Sequence, residues 1–198
     1  MSTTEATRQF EGLEVPSAGT FQIDPVHSQV GFVVRHMKVA KVRGRFRDYT
    51  GTIEIADDPV ESRVVVEVKT ASVDTREEQR DAHLRSADFF ESDTYPEMTF
   101  TSTRVEHRGD NAFDVTGDLT LHGVTKPVTL RAEFEGVVND PYGNQRIGFT
   151  AVGELDRFDF GLTWNAAIEA GGLVVSRKVT LELEVEAVRQ AAEAESAA

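Results

Sequence analysis

The chain has 198 residues and a net charge of −13, from 34 Asp and Glu against 21 Lys and Arg. That balance argues against nucleic acid and anionic membrane surfaces as main partners, because both repel an acidic protein. The absence of cysteine excludes disulfides and thiolate metal sites, while 39% apolar residues, with 12 Phe among them, suffice for a real core.

Residues 1–18 are small and polar and are expected to form a loose tail. Residues 1–9 contain no apolar run of the kind a secretory signal needs. No later stretch reaches the roughly 18 apolar residues of a membrane span, so a cytoplasmic location is expected. From residue 28 the chain alternates: Val30, Phe32, Val34 and His36 share one strand face, and Gly31, Val33, Arg35 and Met37 the other. Residues 41–55 form a second long strand, with Gly44 and Gly51 as kinks or bulges. Lys38, Lys41, Arg43, Arg45 and Arg47 make a basic patch against the average charge. It is either a solvated hairpin edge, where charge discourages edge pairing, or a basic mouth that meets an anionic head group. After a turn at 57–59, Val64, Val66 and Val68 alternate with polar or outward residues.

Residues 76–85 break the strand pattern. They are good helix formers without Gly or Pro, and Thr75 with Glu78 has the spacing of a capping box. Apolar residues crowd the end of this helix and the segment after it (Leu84, Phe89, Phe90), so it must pack on something, as a lid or plug. Alternation then resumes through Met98 and Phe100, through Phe113, Val115, Gly117 and Leu119, through residues 128–138, through Ile147, Phe149, Ala151 and Gly153, and through residues 179–185. Turn signals separate these runs at 108–111, 122–123 and 139–144. Residues 189–198, rich in Ala and Glu, read as a frayed tail.

Long strands with one apolar and one polar face, joined by short turns, make an antiparallel sheet, and about eight of them close into a barrel. The expected fold is all-β: a single domain over residues 19–188, an eight-stranded antiparallel barrel capped by one short helix. Gly117, Ala132, Gly136, Ala151 and Gly153 fall on the inner face. Small residues there leave space for a ligand, or else interdigitate with Phe113, Phe134 and Phe149. A strand over residues 127–138 spans about 40 Å. Tilted by about 40°, it makes a barrel about 30 Å tall, long enough for an extended apolar chain.

Six segments carry a resemblance: DPVHSQVGFVVRHM (24–37), KVRGRF (41–46), SVDT (72–75), RDAHLRSADFF (80–90), YPEMTF (95–100) and GDLTLHGVTKPVTL (117–130). Together and in this order they resemble the YceI-like polyisoprenoid-binding family over residues 19–188. The resemblance implies an extended lipocalin-like barrel holding a long isoprenoid or related apolar lipid in its bore, as carrier, store or sensor, with no catalysis. The bore is then expected to be lined by Val30, Phe32, Val34, Phe100, Phe113, Leu119, Ala132, Phe134, Phe149, Ala151, Phe158, Phe160 and Trp164. His27, Arg35 and His36 are expected at the mouth, facing a head group, and Arg80, Asp81 and His83 as the helix anchor. The segment 161–175, with the only Trp, is expected to be the most individual part.

His27, His36, His83 and His122 come from four separate segments, and no two lie at i, i+4 on a helix, so neither metal nor cofactor is expected. The sequence holds no G-x-S-x-G elbow and no H-E-x-x-H. The competing expectation is an enzyme acting on a lipid or small apolar substrate, with Arg80, Asp81 and His83 working with Ser28 or Ser72 at the barrel mouth. The expected partner is a long-chain isoprenoid or other apolar lipid, with no nucleic acid and no stable membrane insertion; a homodimer is left open.

Overall fold

Alternation of period two runs through almost the whole ordered chain, and the strands it produces close on themselves. The computed structural model describes residues 7–167 and 174–191. In order it contains β1 (Thr7–Phe10), β2 (Leu13–Pro16), β3 (Gly19–Ile23), β4 (Gln29–His36), β5 (Ala40–Phe46), β6 (Tyr49–Ile55), β7 (Arg63–Lys69), β8 (Val73–Asp74), helix α1 (Glu78–Arg85), β9 (Glu97–His107), β10 (Ala112–Leu121), β11 (Val124–Asn139), β12 (Gln145–Asp156) and β13 (Val175–Arg189). Three pairs act as single bent staves. β3 and β4 both lie along β13, β5 and β6 along β4 and β3, and β8 and β7 along β5 and β6. The break between β3 and β4 falls at Asp24-Pro25, where proline has no N–H for the ladder. With β9 to β13 these make eight antiparallel staves, and β13 closes the barrel by pairing with both β12 and the β3–β4 stave.

The two ends of the barrel are closed differently. At one end sit α1 and the 3₁₀ turn Arg157–Phe160. At the other sits the β1–β2 hairpin, which corrects the expected loose tail over residues 7–16. Two short strands are marginal alone. Here Val15 is only 5% exposed in a cluster with Phe21, Ile53, Phe113, Phe134 and Ile147, and Phe10 and Leu13 pack against it. Strands of four residues are too short for alternation to reveal them, and the barrel supplies the stabilising surface. The C-terminal tail expected from residue 189 also begins later. Arg189 ends β13, lies 4.6 Å over the Phe21 ring and donates to the carbonyls of Ser17 and Ala18. Residues 1–6 and 192–198 of the expected tails, and 168–173 of the segment around Trp164, lie outside the described residues.

A histidine fastens the hairpin. His107 Nε2 lies 2.9 Å from the carbonyl of Asp110, and Nδ1 lies 2.6 Å from the Glu11 carboxylate. Both partners only accept, so both ring nitrogens carry protons. The Asp110 carbonyl first, then Glu11, hold the imidazole pKa above its usual 6.5. A group whose folded pKa is raised contributes fully below its unfolded value, near 6.5, and loses that contribution as pH rises through the folded value. Amide-exchange protection of Phe10 and Val15, corrected for intrinsic rates, should therefore fall as pH rises above about 6.5. Protection that rises over that range contradicts the assignment.

Helix α1 starts two residues later than the expected 76–85. Its N-cap is Glu77, whose carboxylate accepts from the N–H groups of Gln79 and Arg80, not Thr75. Thr75 is engaged elsewhere: its N–H (2.9 Å) and hydroxyl (2.5 Å) both donate to the buried Asp81 carboxylate. Tertiary anchoring has displaced the local capping box.

Candidate functional site

The inward faces of the staves enclose a cavity of about 490 Å³, within the roughly 300–1,000 Å³ of small-molecule sites. Of the expected bore residues, Val30, Phe32, Val34, Phe100, Phe113, Leu119, Ala132, Phe134, Phe149, Ala151 and Trp164 line it. Two do not. Phe160 is buried in the wall cluster of Leu119, Leu121, Leu130 and Leu162. Phe158 stands between the guanidinium groups of Arg157 and Arg177, 4.9 and 4.6 Å from its ring centre. Both residues belong to the 3₁₀ turn, which ends the period-two rule that aimed them inward.

The space does not come from the glycines. A Cβ on Gly117 would lie 2.5 Å from the Phe100 ring, and one on Gly153 would lie 2.7 Å from Leu130. These positions are filled by cross-strand neighbours, and Gly136 sits at a bulge with φ of +132°. Ala132 and Ala151 do line the bore and face each other across the β11–β12 ladder.

The ionisable residues of the cavity are basic: Arg35, His36, Arg80, His83 and Arg157 line it and, among the described residues, no Asp or Glu does, in a chain rich in both. All five lie toward the helix end. Arg157, 3% exposed, donates to the carbonyls of Leu162, Trp164, Val175 and Ser176 and forms no ion pair among the described residues. Burial depresses its pKa below the usual guanidinium value. It fixes the segment that presents Trp164, whose ring stands 4.6 Å edge-on to His83 and 5.3 Å from Phe89. Arg157 escaped the sequence-level expectations; its only signal was a cation set beside Phe158 and Phe160. Arg80 donates to the Thr75 hydroxyl and carbonyl (2.7 and 2.9 Å), and Asp81 accepts from the same residue, so both tie α1 to the end of β8. The third expected anchor, His83, instead contacts Asp88 and Trp164. Arg85 takes the anchoring role, donating to the carbonyls of Ala71 and Val73.

His27 is not at this mouth. It lies on the outer wall, 56% exposed, with Nδ1 2.8 Å from Asp24. Its hydrogen bond, and then that of Arg146, hold the Asp24 pKa down to about 2. Asp24, His27 and Glu186 are close enough to suggest a cation site. The Arg146 guanidinium already contacts both carboxylates and supplies the positive charge a metal would bring. Neither serine expected to cooperate in catalysis is hydrogen-bonded to Arg80, Asp81 or His83, although Ser72 and Asp81 line one small surface pocket. Ser28 donates to the Glu186 carbonyl on that outer wall, and Ser72 donates to the Lys69 carbonyl.

The sequence profile of the YceI-like domain matches residues 21–187. The chain belongs to the YceI-like family. Protein YceI of Escherichia coli O17:K52:H18 is 43% identical over 176 residues, covering 87% of this chain and 88% of that one. The YCEI protein of Campylobacter jejuni has a similar crystal structure, with a TM-score of 0.69 at 35% identity over 79% of this chain and 90% of that one. A polyisoprenoid-binding domain from Saccharophagus degradans shares the fold, with a TM-score of 0.66 at 21% identity over 86% of this chain and 98% of that one. The YceI-like match stops short of β1 and β2, so the hairpin plug lies outside the family segment. No helix among the described residues is long and apolar enough to cross a membrane.

Proposed function

We propose that this barrel binds a long-chain polyisoprenoid or related apolar lipid without covalent change, as a carrier, store or sensor. The observation that carries the reading is the division of the cavity lining. Aliphatic and aromatic side chains line the bore between the strands, and arginines and histidines gather at the helix end with no carboxylate among the described residues. The tail lies along the bore between Phe100, Phe134 and Phe149. A polar or anionic head faces Arg35, His36 and Arg80, and the outer-wall His27 takes no part. The polyisoprenoid-binding description of the Saccharophagus domain supports the same reading. A catalytic role draws less support, because His83 pairs with Asp88 while the Ser28 and Ser72 hydroxyls donate to backbone carbonyls, those of Glu186 and Lys69.

Organic extraction of the purified protein followed by native mass spectrometry identifies what it carries. The delipidated protein is then titrated with isoprenoid and fatty acyl probes of increasing length. Each added buried methylene should strengthen binding by about 0.8 kcal/mol, or roughly fourfold, until the bore is full. Salt should matter little, because buried charges are weakly screened. Absence of binding by every chain length removes the reading.

A further inference from the structure

We propose that the turn joining β4 to β5 docks on an anionic lipid bilayer, setting the helix end of the cavity against the membrane surface. The turn is tight. Val39 N–H donates to the His36 carbonyl at 3.1 Å, and both central residues, Met37 and Lys38, are left-handed, with φ of 48° and 61°. Such a turn normally takes Asn-Gly, because side chains at positive φ are strained. This chain instead places a thioether and an ammonium there, and strain of that kind is kept where a side chain is needed in place. Val39 is 83% exposed and Met37 39% exposed, so the apex is apolar and open to solvent.

The flanks are cationic. Residues 29–47 contain six Lys and Arg and no Asp or Glu, although the whole chain is strongly acidic. Arg45 and Arg47 share Asp74, and Arg43 lies 3.8 Å from Glu182. Arg35, Lys38 and Lys41 have no carboxylate partner among the described residues. An apolar apex ringed by unpaired cations matches an interface between water and anionic lipid: the apex enters the headgroup layer and the cations meet phosphates. A polynucleotide or a polyacidic chain would use the cations but give Val39 and Met37 little to bury against. The cavity is next to the apex in sequence and in space. Arg35 and His36 line it, and Met37 N–H donates at 2.8 Å to the carbonyl of Val174, itself a lining residue. The inference extends the proposed function to the route by which lipid enters, and the side chains that test it, Lys38, Val39 and Lys41, lie outside the cavity lining.

The test is flotation of the full chain with phosphatidylcholine vesicles containing increasing phosphatidylglycerol. Binding should rise with the anionic fraction and fall with salt. The double variant Lys38→Glu/Lys41→Glu should bind anionic vesicles at least about 25-fold more weakly, at roughly fivefold for each cation lost. The neutral polar variant Val39→Asn should weaken binding several-fold while leaving capture of the charged polymer polyglutamate unchanged. Arg131→Glu on the exposed face of β11 serves as a control and should change vesicle binding far less than the double variant. Affinity for a short cavity probe added from solution should be unchanged in all of these variants, which separates failure of docking from failure of the cavity. Equal binding to neutral and anionic vesicles overturns the proposal, as does equal loss in Arg131→Glu. If polyglutamate competes fully with vesicles and Val39→Asn binds like the parent, the patch is a general polyanion surface and the membrane assignment fails.

Discussion

Replacing Arg157 by methionine should lower the melting temperature by about 10 °C. Methionine keeps an unbranched apolar stem but removes every donor. The carbonyls of Leu162, Trp164 and Ser176 then lose this donor in a site where the parent side chain is 3% exposed, while that of Val175 keeps the Asn165 amide. Leaving a buried polar group unsatisfied costs about 1–3 kcal/mol. Even with water reaching one of these three, the total is about 4 kcal/mol, which corresponds to about 10 °C in a chain of this size. The single Trp reports the same event directly. Trp164 is held against His83 and Phe89 by the segment Arg157 pins, so its emission should shift to longer wavelength well below the global transition. Arg157→Lys should fall between the two, because an ammonium keeps the charge but cannot fork to carbonyls on both sides. A methionine variant that melts within about 2 °C of the parent means that water replaces the guanidinium at little cost.

The second large effect is on binding. Ala151→Phe should leave the melting temperature of the delipidated protein unchanged or slightly raised, and should weaken binding of long-chain lipid by at least tenfold. Ala151 pairs with Ala132 in the β11–β12 ladder, and both line the cavity. Overpacking a solid core costs typically 1–3 kcal/mol, which would appear as a drop of several degrees. A cavity of about 490 Å³ beside the residue makes that strain avoidable. The phenyl ring instead fills space that the ligand's chain needs. Excluding even two methylenes of that chain removes about 1.6 kcal/mol of burial, so shorter chains should be favoured relative to longer ones. Two measurements decide it: calorimetry on the delipidated protein and titration with a chain-length series. A variant that melts well below the parent yet binds long chains with unchanged affinity places the ligand elsewhere.

Strand alternation alone determined most of the architecture. The apolar face of each run, from Val30, Phe32 and Val34 to Phe149 and Ala151, points into the bore, because side chains on a strand alternate strictly and a closed sheet has one inside. The turn residues, above all Asp140 to Asn144, marked where strands reverse, and the lack of Gly and Pro before Arg85 marked the one helix.

Wherever that periodicity lapses, the tertiary structure decided. Phe158 and Phe160 were expected in the bore and are not, because a 3₁₀ turn redirects them. His27 was expected beside Arg35 and His36. The break at Asp24-Pro25 carries it instead to the outer wall, where Arg146 and Glu186 arrive from strands far away in sequence. Thr75 was expected to cap α1 and instead binds Asp81, because the anchoring of the helix to β8 outweighs a local cap. The N-terminal hairpin has too few residues to declare itself and exists by packing Val15 against the barrel. The cationic end of the cavity is a fact of assembly: Arg35, Arg80 and Arg157 come from a strand, a helix and a turn. No local pattern links them, since burial and charge at a site depend on which distant segments the closed barrel brings to one end.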